Sequence, residues 1–237
     1  MSIKNTIEDI LNEYHKMNAE LEDSFKKANE RYKVQQEIYF AEQNALLLKN
    51  DYEAASGIFS AKADMLNKKI NGTLADLKKT VYTALNKSEK TADYSIRINN
   101  ALQFLRAEGI ALTDETAAHI LSEFITDIET MRQFRRVIQH QLGDDVHLDN
   151  TQGKTKYPLT LGYLQACEEI LSAVDEMQET AQHIFMFEKR SAESENINGL
   201  TLTVPMDTYA QLMSEHNIIE QADHFESLCT QMNAGNE

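Results

Sequence analysis

Proline is missing from the first 157 residues of this 237-residue chain; only Pro158 and Pro205 occur. Glycine is scarce too, with eight residues, and both fall far below usual shares of roughly 5% and 7%. Few turns and much helix follow. There is no tryptophan. The two cysteines, Cys167 and Cys229, cannot form a disulfide framework, and both fall in apolar helical patterns. They predict buried, reduced thiols and a cytoplasmic setting. No apolar run approaches the 18 or so residues of a membrane span, and the densest, Ala45 to Leu48, ends at Lys49. The first ten residues are amphipathic and acidic without an apolar h-region, so no secretory leader is expected. Also missing are a glycine-rich phosphate loop, a Walker-type lysine, a His-Glu-x-x-His motif and a zinc-type cysteine cluster. No cofactor is expected, and the odds of an enzyme fall.

What is present is charge, unevenly spread. Residues 1–109 carry 16 Lys+Arg and 16 Asp+Glu, whereas residues 110–237 carry 7 and 22, so the whole formal charge of −15 lies in the second half. Such a balance argues against nucleic acid and anionic membrane surfaces as partners. It suits solvation, or a basic surface on another protein. Hydrophobic residues at 42% suffice for a core, so the chain is not expected to be disordered.

The first 93 residues read as a helical arm. Ile3, Ile7, Ile10, Tyr14, Met17, Leu21, Phe25, Ala28 and Tyr32 recur at steps of three and four, the spacing of a narrow helical seam with one stutter. A second stripe runs Tyr52, Ala55, Phe59, Ala63, Leu66, Ile70, Leu74, Leu77, Val81, Leu85, in steps of three, four and four. That eleven-residue period lies close to the natural helix period, so the second helix should be nearly straight. A narrow stripe needs a partner helix. Two arrangements fit: an antiparallel hairpin turning near Lys49-Asn50-Asp51, or one through-running helix whose stripes pair between chains. The polar interruption at Gln35, Gln36, Glu37 and Glu42 favours the hairpin. Asn71-Gly72 is turn-like, but Ile70 and Leu74 stay in phase across it, so it reads as helix.

Residues 94–237 read as an acidic helical domain. Ile98, Ala101, Leu102 and Leu105 mark a helix that Gly109 stops, and Thr113 caps the next, with Asp114 and Glu115 in its first turn. Its apolar face continues through Ile128 and Met131 to Leu142. Such a corner could be a DNA-binding helix–turn–helix; in so acidic a region a plain corner is the better reading. The period changes after Gly143. Short strands are expected about 145–161 and 199–205, forming a β-hairpin or a three-stranded insertion. A wide-faced helix through Cys167 and Met177 lies between them, Ser191 to Asn198 reads as a loop, and a last helix starts at Met206 with a kink near His216.

Two groups could carry chemistry. Asp145, His147 and Asp149 would share one side of a strand and are candidate metal ligands, although the spacing is unspecific and not that of an EF-hand. Arg132, Arg135 and Arg136 could grip phosphate, but pairing with Asp127 and Glu129 is the simpler expectation.

The fold expected is mostly α: a long helical hairpin or coiled-coil arm (1–93), then a helical domain with a small β element (94–237). The function expected is non-enzymatic: a structural, assembly or scaffold protein that self-associates, or binds other structural proteins, through Tyr52, Phe59, Leu66, Ile70, Leu74, Leu77, Val81 and Leu85. The composition also suits virion assembly, as in a bacteriophage scaffolding or accessory structural protein, which would place it in the virion. The alternatives are an acidic adaptor or inhibitor docking a basic protein surface, and a metal-dependent enzyme with its site near Asp145 to Asp149.

Overall fold

The structure, a computed structural model, describes residues 2–35, 40–87, 90–142, 157–191 and 202–234. These are mostly helix, with one two-stranded sheet. The order is α1 (Ile3–Gln35), α2 (Ala41–Leu85), α3 (Tyr94–Glu108), α4 (Asp114–Leu121), α5 (Ile128–Leu142), α6 (Pro158–Ala181), β1 (Phe187–Ser191), β2 (Thr203–Asp207) and α7 (Tyr209–Ala234). Contacts divide the chain into two compact units: Met1–Ala75 with Glu176–Glu226, and Asp76–Asp175 with Ser227–Glu237.

In the first unit α1 and α2 form an antiparallel hairpin. Arg31 pairs with Asp51 at 3.2 Å, Glu20 with Lys62 at 3.3 Å and Glu13 with Lys69 at 3.0 Å, so partner numbers rise on one helix as they fall on the other. Beneath these exposed pairs, the stripe from Ile3 to Leu21 and the stripe from Tyr52 to Leu74 are both buried. Phe25 stacks on Tyr52 with centroids 4.2 Å apart, and Asn29 donates to the Tyr52 hydroxyl. The turn is not at Lys49-Asn50-Asp51. Helix α2 begins at Ala41 and runs through those residues, because Leu48 and Tyr52 carry its buried face across them. Asn44, buried in the first turn of α2, donates to the Tyr32 carbonyl near the end of α1 and ties the two ends together. Asn71-Gly72 is helix, as its preserved phase requires.

The sheet differs from expectation in partner and place. β1 and β2 pair antiparallel, with Phe187 opposite Asp207 and Lys189 opposite Pro205. Of the strand expected about 145–161, residues 143–156 lie outside the described set, and Pro158 to Leu161 open helix α6 instead. Pro158 is preorganised for a first helical position. The Asp114 carboxylate accepts from the backbone N–H groups of Leu159 and Thr160, capping α6 from another element. Met206 belongs to β2, and α7 starts three residues later and runs unbroken past His216. Between α6 and β1 the chain reverses at Phe185, whose φ of 63° is the only positive value among described non-glycine residues. Burial of its ring 4.7 Å from that of Tyr14 offsets the cost of that conformation.

In the second unit α3 stops at Gly109, whose N–H bonds back to the Leu105 carbonyl, and the Thr113 hydroxyl accepts from the Thr116 N–H to start α4. The long helix expected from Thr113 to Gly143 is broken: α4 ends at Leu121, a 3₁₀ turn covers Ser122–Phe124, and α5 begins at Ile128. Asp127 causes the break. Its carboxylate is buried and accepts from the Thr130 N–H and hydroxyl, which is N-cap bonding that starts a new helix.

Two substitutions test these assignments by urea unfolding. Gly109 has φ 51° and open space where a Cβ would stand, so Gly109→Ala is expected to cost about 1–2 kcal/mol from backbone strain alone. Leu74 is fully buried, and Leu74→Ala should cost about 2–5 kcal/mol. A silent Leu74→Ala would contradict the seam.

Candidate functional site

The seam residues expected to mediate contact are placed within the chain's own hairpin or core. Tyr52, Phe59, Leu66, Ile70 and Leu74 are buried in the first unit; Leu85 is buried and Leu77 and Val81 are half-buried in the second. Tyr14 from α1 tilts against Phe59 at 5.7 Å, and Phe187 from β1 meets Phe59 edge-on at 5.4 Å.

The opposite face of α2 is bare. At about 100° per residue, Leu47, Ala54, Ile58, Ala61, Met65 and Gly72 fall in a strip about 60° wide, roughly opposite the buried seam. All six are exposed; Ile58 and Met65, at 61% and 69%, are the most exposed of its large apolar groups. No charged residue lies within the strip between Gln43 and Gly72. Asp51, Lys62 and Lys69 border one side, and Asn50, Gly57 and Lys68 the other. The strip is a ridge between two grooves of the same unit. One, about 480 Å³, lies toward the sheet and is lined by Glu53, Gly57, Asp64, Phe187 and Pro205 among others; the second, about 660 Å³, lies toward α1 and includes Met17, Glu20, Met65 and Lys69. Sequence reading missed the strip because Ala54, Gly57 and Ala61 do not register as a hydrophobic stripe. The four-three-four spacing of Ala54, Ile58, Ala61 and Met65 is the signal that could have found it.

Each unit also holds a buried polar cluster. In the first, the Tyr14 hydroxyl donates a short hydrogen bond to Asp207, which also accepts from Asn18 at 3.2 Å. Burial and the Asp207 carboxylate push the Tyr14 phenol far above its usual range. Glu215 sits nearby, 3.3 Å from His15 Nε2 and accepting from Gln211. Burial raises the Glu215 pKa, against the pull of His15 and the Gln211 hydrogen bond, and Asp207 adds to the rise. In the second, burial would raise Asp127, but hydrogen bonds from Thr130 and Tyr94, with Lys90 at 3.8 Å, outweigh it and hold the carboxyl below its usual range.

Arg132 and Arg135 converge on Glu168 of α6. Arg132 Nε is 3.0 Å from it, Arg135 holds it through both guanidinium nitrogens, and Arg132 also reaches Glu129 at 2.8 Å. Burial would raise Glu168, but the two arginines outweigh it and lower its pKa. The expected pairing with Glu129 is present; Asp127 instead bonds Tyr94, Thr130 and Lys90. Arg136 is exposed. Cys167 is a buried thiol that burial pushes up to about 11, an unreactive setting, whereas Cys229, expected to be buried, is half-buried and likewise outside any disulfide. Asp145, His147 and Asp149 lie outside the described residues. Among those described, no group of three or more His, Cys, Asp or Glu side chains is arranged to hold a metal, and no helix is long and apolar enough to cross a membrane.

No family model, curated protein or solved structure matches the chain. The geometry itself must therefore carry the reading. The polar clusters are networks whose members bond one another, and the α2 strip is an exposed, charge-free surface among the described residues.

The carboxylates give opposite signs with pH. Glu168 and Asp127 are lowered, so their stabilisation is present above the unfolded carboxylate range near pH 4 and lost as pH falls below it. Glu215 is raised, so its favourable share is present below about pH 4.3 and lost as pH rises through its folded value. Urea midpoints measured from pH 3 to pH 8 should show a shallower acid loss for Glu168→Gln than for the unaltered chain. Glu215→Gln should gain relative to the unaltered chain as pH rises. The reverse order would contradict the two environments.

Proposed function

We propose that this chain is a non-enzymatic structural protein, an assembly or scaffold component that self-associates through its helical hairpin. The observation that carries the reading is the charge-free strip on the outward face of α2. Contiguous exposed apolar surface on an otherwise charged helix marks an interaction site more often than chance exposure does. The intrachain burial of the opposite seam supports the same reading: α2 is fixed on a partner helix, so its outer face is presented by a preformed element. Internally paired arginines and an inert buried thiol lend no support to catalysis.

Multi-angle light scattering of the full chain at tens of micromolar, the range of ordinary weak oligomers, tests the proposal. A mass above 27.0 kDa is expected. A monomer throughout that range would overturn self-association and leave docking on a different, basic protein as the reading to pursue.

A further inference from the structure

We infer that the partner of the α2 strip is a second copy of the same strip, crossing it antiparallel about a two-fold axis near residues 59 and 60. The inference rests on the self-association reading and adds its surface, direction and register.

Glycine inside a helix is destabilising relative to alanine. Helix α2 carries two, Gly57 and Gly72, both exposed, and at neither would a Cβ meet any atom of the described residues within 4 Å. Nothing among the described residues calls for the missing side chains. Close approach of something outside the chain would. Gly72 lies in the strip and Gly57 on its border, where a packed helix would need room.

The strip is also complementary to itself. Consider two copies antiparallel, with partner numbers adding to about 119. Leu47 then faces Gly72 of the second copy, Ala54 faces Met65, and Ile58 faces Ala61. Every large residue meets a small one, the alternation that lets two helices approach closely. A slip of seven residues one way sets Leu47 against Met65 and Asp51 against Ala61; the other way, Ile58 meets Lys68. Charge agrees with the favoured register. A two-fold axis between antiparallel helices brings each border of the strip against the same border of its mate. Asp51 thus approaches Lys69, twice by symmetry, and Lys68 approaches Asn50. Asp51 and Lys69 already hold exposed partners, Arg31 and Glu13, and exposed pairs exchange at little cost. The like charges Glu53 and Asp64 meet only beyond the strip's margin, where water screens them. The overlap from Leu47 to Gly72 spans about 39 Å at 1.5 Å per residue.

Single cysteines in the full chain, with Cys167→Ala and Cys229→Ser, read the register by disulfide formation. Two Ala61→Cys chains would lie about 4.5 Å apart along the axis, at 1.5 Å per residue, and should cross-link. Leu47→Cys should not cross-link with itself but should do so with Gly72→Cys chains. Ala61→Arg should return the mass to 27.0 kDa, with a melting temperature equal to that of the unaltered chain at dilutions where both are monomers. Self-cross-linking of Leu47→Cys would mean a parallel pair and would overturn the inference. An oligomer that forms none of these disulfides and survives Ala61→Arg would also overturn it, yet leave self-association standing. A monomeric chain would remove both.

Discussion

The contact between α1 and α2 is the constraint on which the first unit depends. Neither helix could hold its narrow apolar seam in water, and closing one seam on the other removes Ile7, Ile10, Tyr14, Phe59, Ile70 and Leu74 from solvent together. The exposed ion pairs along its edge contribute little energy each and mark the register that the seam sets. Other elements are positioned by the same seam. Phe185 and Phe187 lay their rings against Tyr14 and Phe59, and the amide of Asn67 donates to the Ile184 carbonyl. A residue with positive φ is tolerated there because the packing it allows outweighs the strain.

Much of this was legible in the chain, for physical reasons that also explain what was not. Seams repeat with the helix period, so α1 and α2 and their pairing could be read from Ile3 to Tyr32 and from Tyr52 to Leu85. Gly109 and Thr113 act through local backbone chemistry, so the end of α3 and the start of α4 were visible too. Turn propensity misled at Asn50-Asp51, where burial of Leu48 and Tyr52 kept the helix intact. The break before α5 was hidden because the apolar phase runs through it; its cause is the buried cap Asp127, whose partner Tyr94 lies 33 residues earlier. β1 was hidden because Glu188, Lys189 and Arg190 give no alternating pattern, and its pairing with Val204 and Pro205 depends on tertiary position. The candidate interaction strip was hidden by its own composition: alanine and glycine count as helix filler until the structure shows which way they point.

The polar interior follows a consistent rule. Where a carboxylate is buried or half-buried it has donors: Thr130 and Tyr94 for Asp127, the two arginines for Glu168, Tyr14 and Asn18 for Asp207. Such networks fix geometry more than they add stability, since desolvation offsets most of their gain. With those groups engaged and the core seam closed, Leu46, Leu47, Ile58 and Met65 remain as large apolar groups exposed on the first-unit part of α2.

All of this requires that the α1–α2 seam close within one chain. The most direct measurement is zero-length carbodiimide cross-linking of an equal mixture of unlabelled and nitrogen-15 chains. Glu13–Lys69 and Glu20–Lys62 bridges should appear only in peptides of a single isotope, because both partners belong to the same chain. Mixed-isotope peptides bearing those bridges would show that the seam pairs between chains, and would contradict the hairpin.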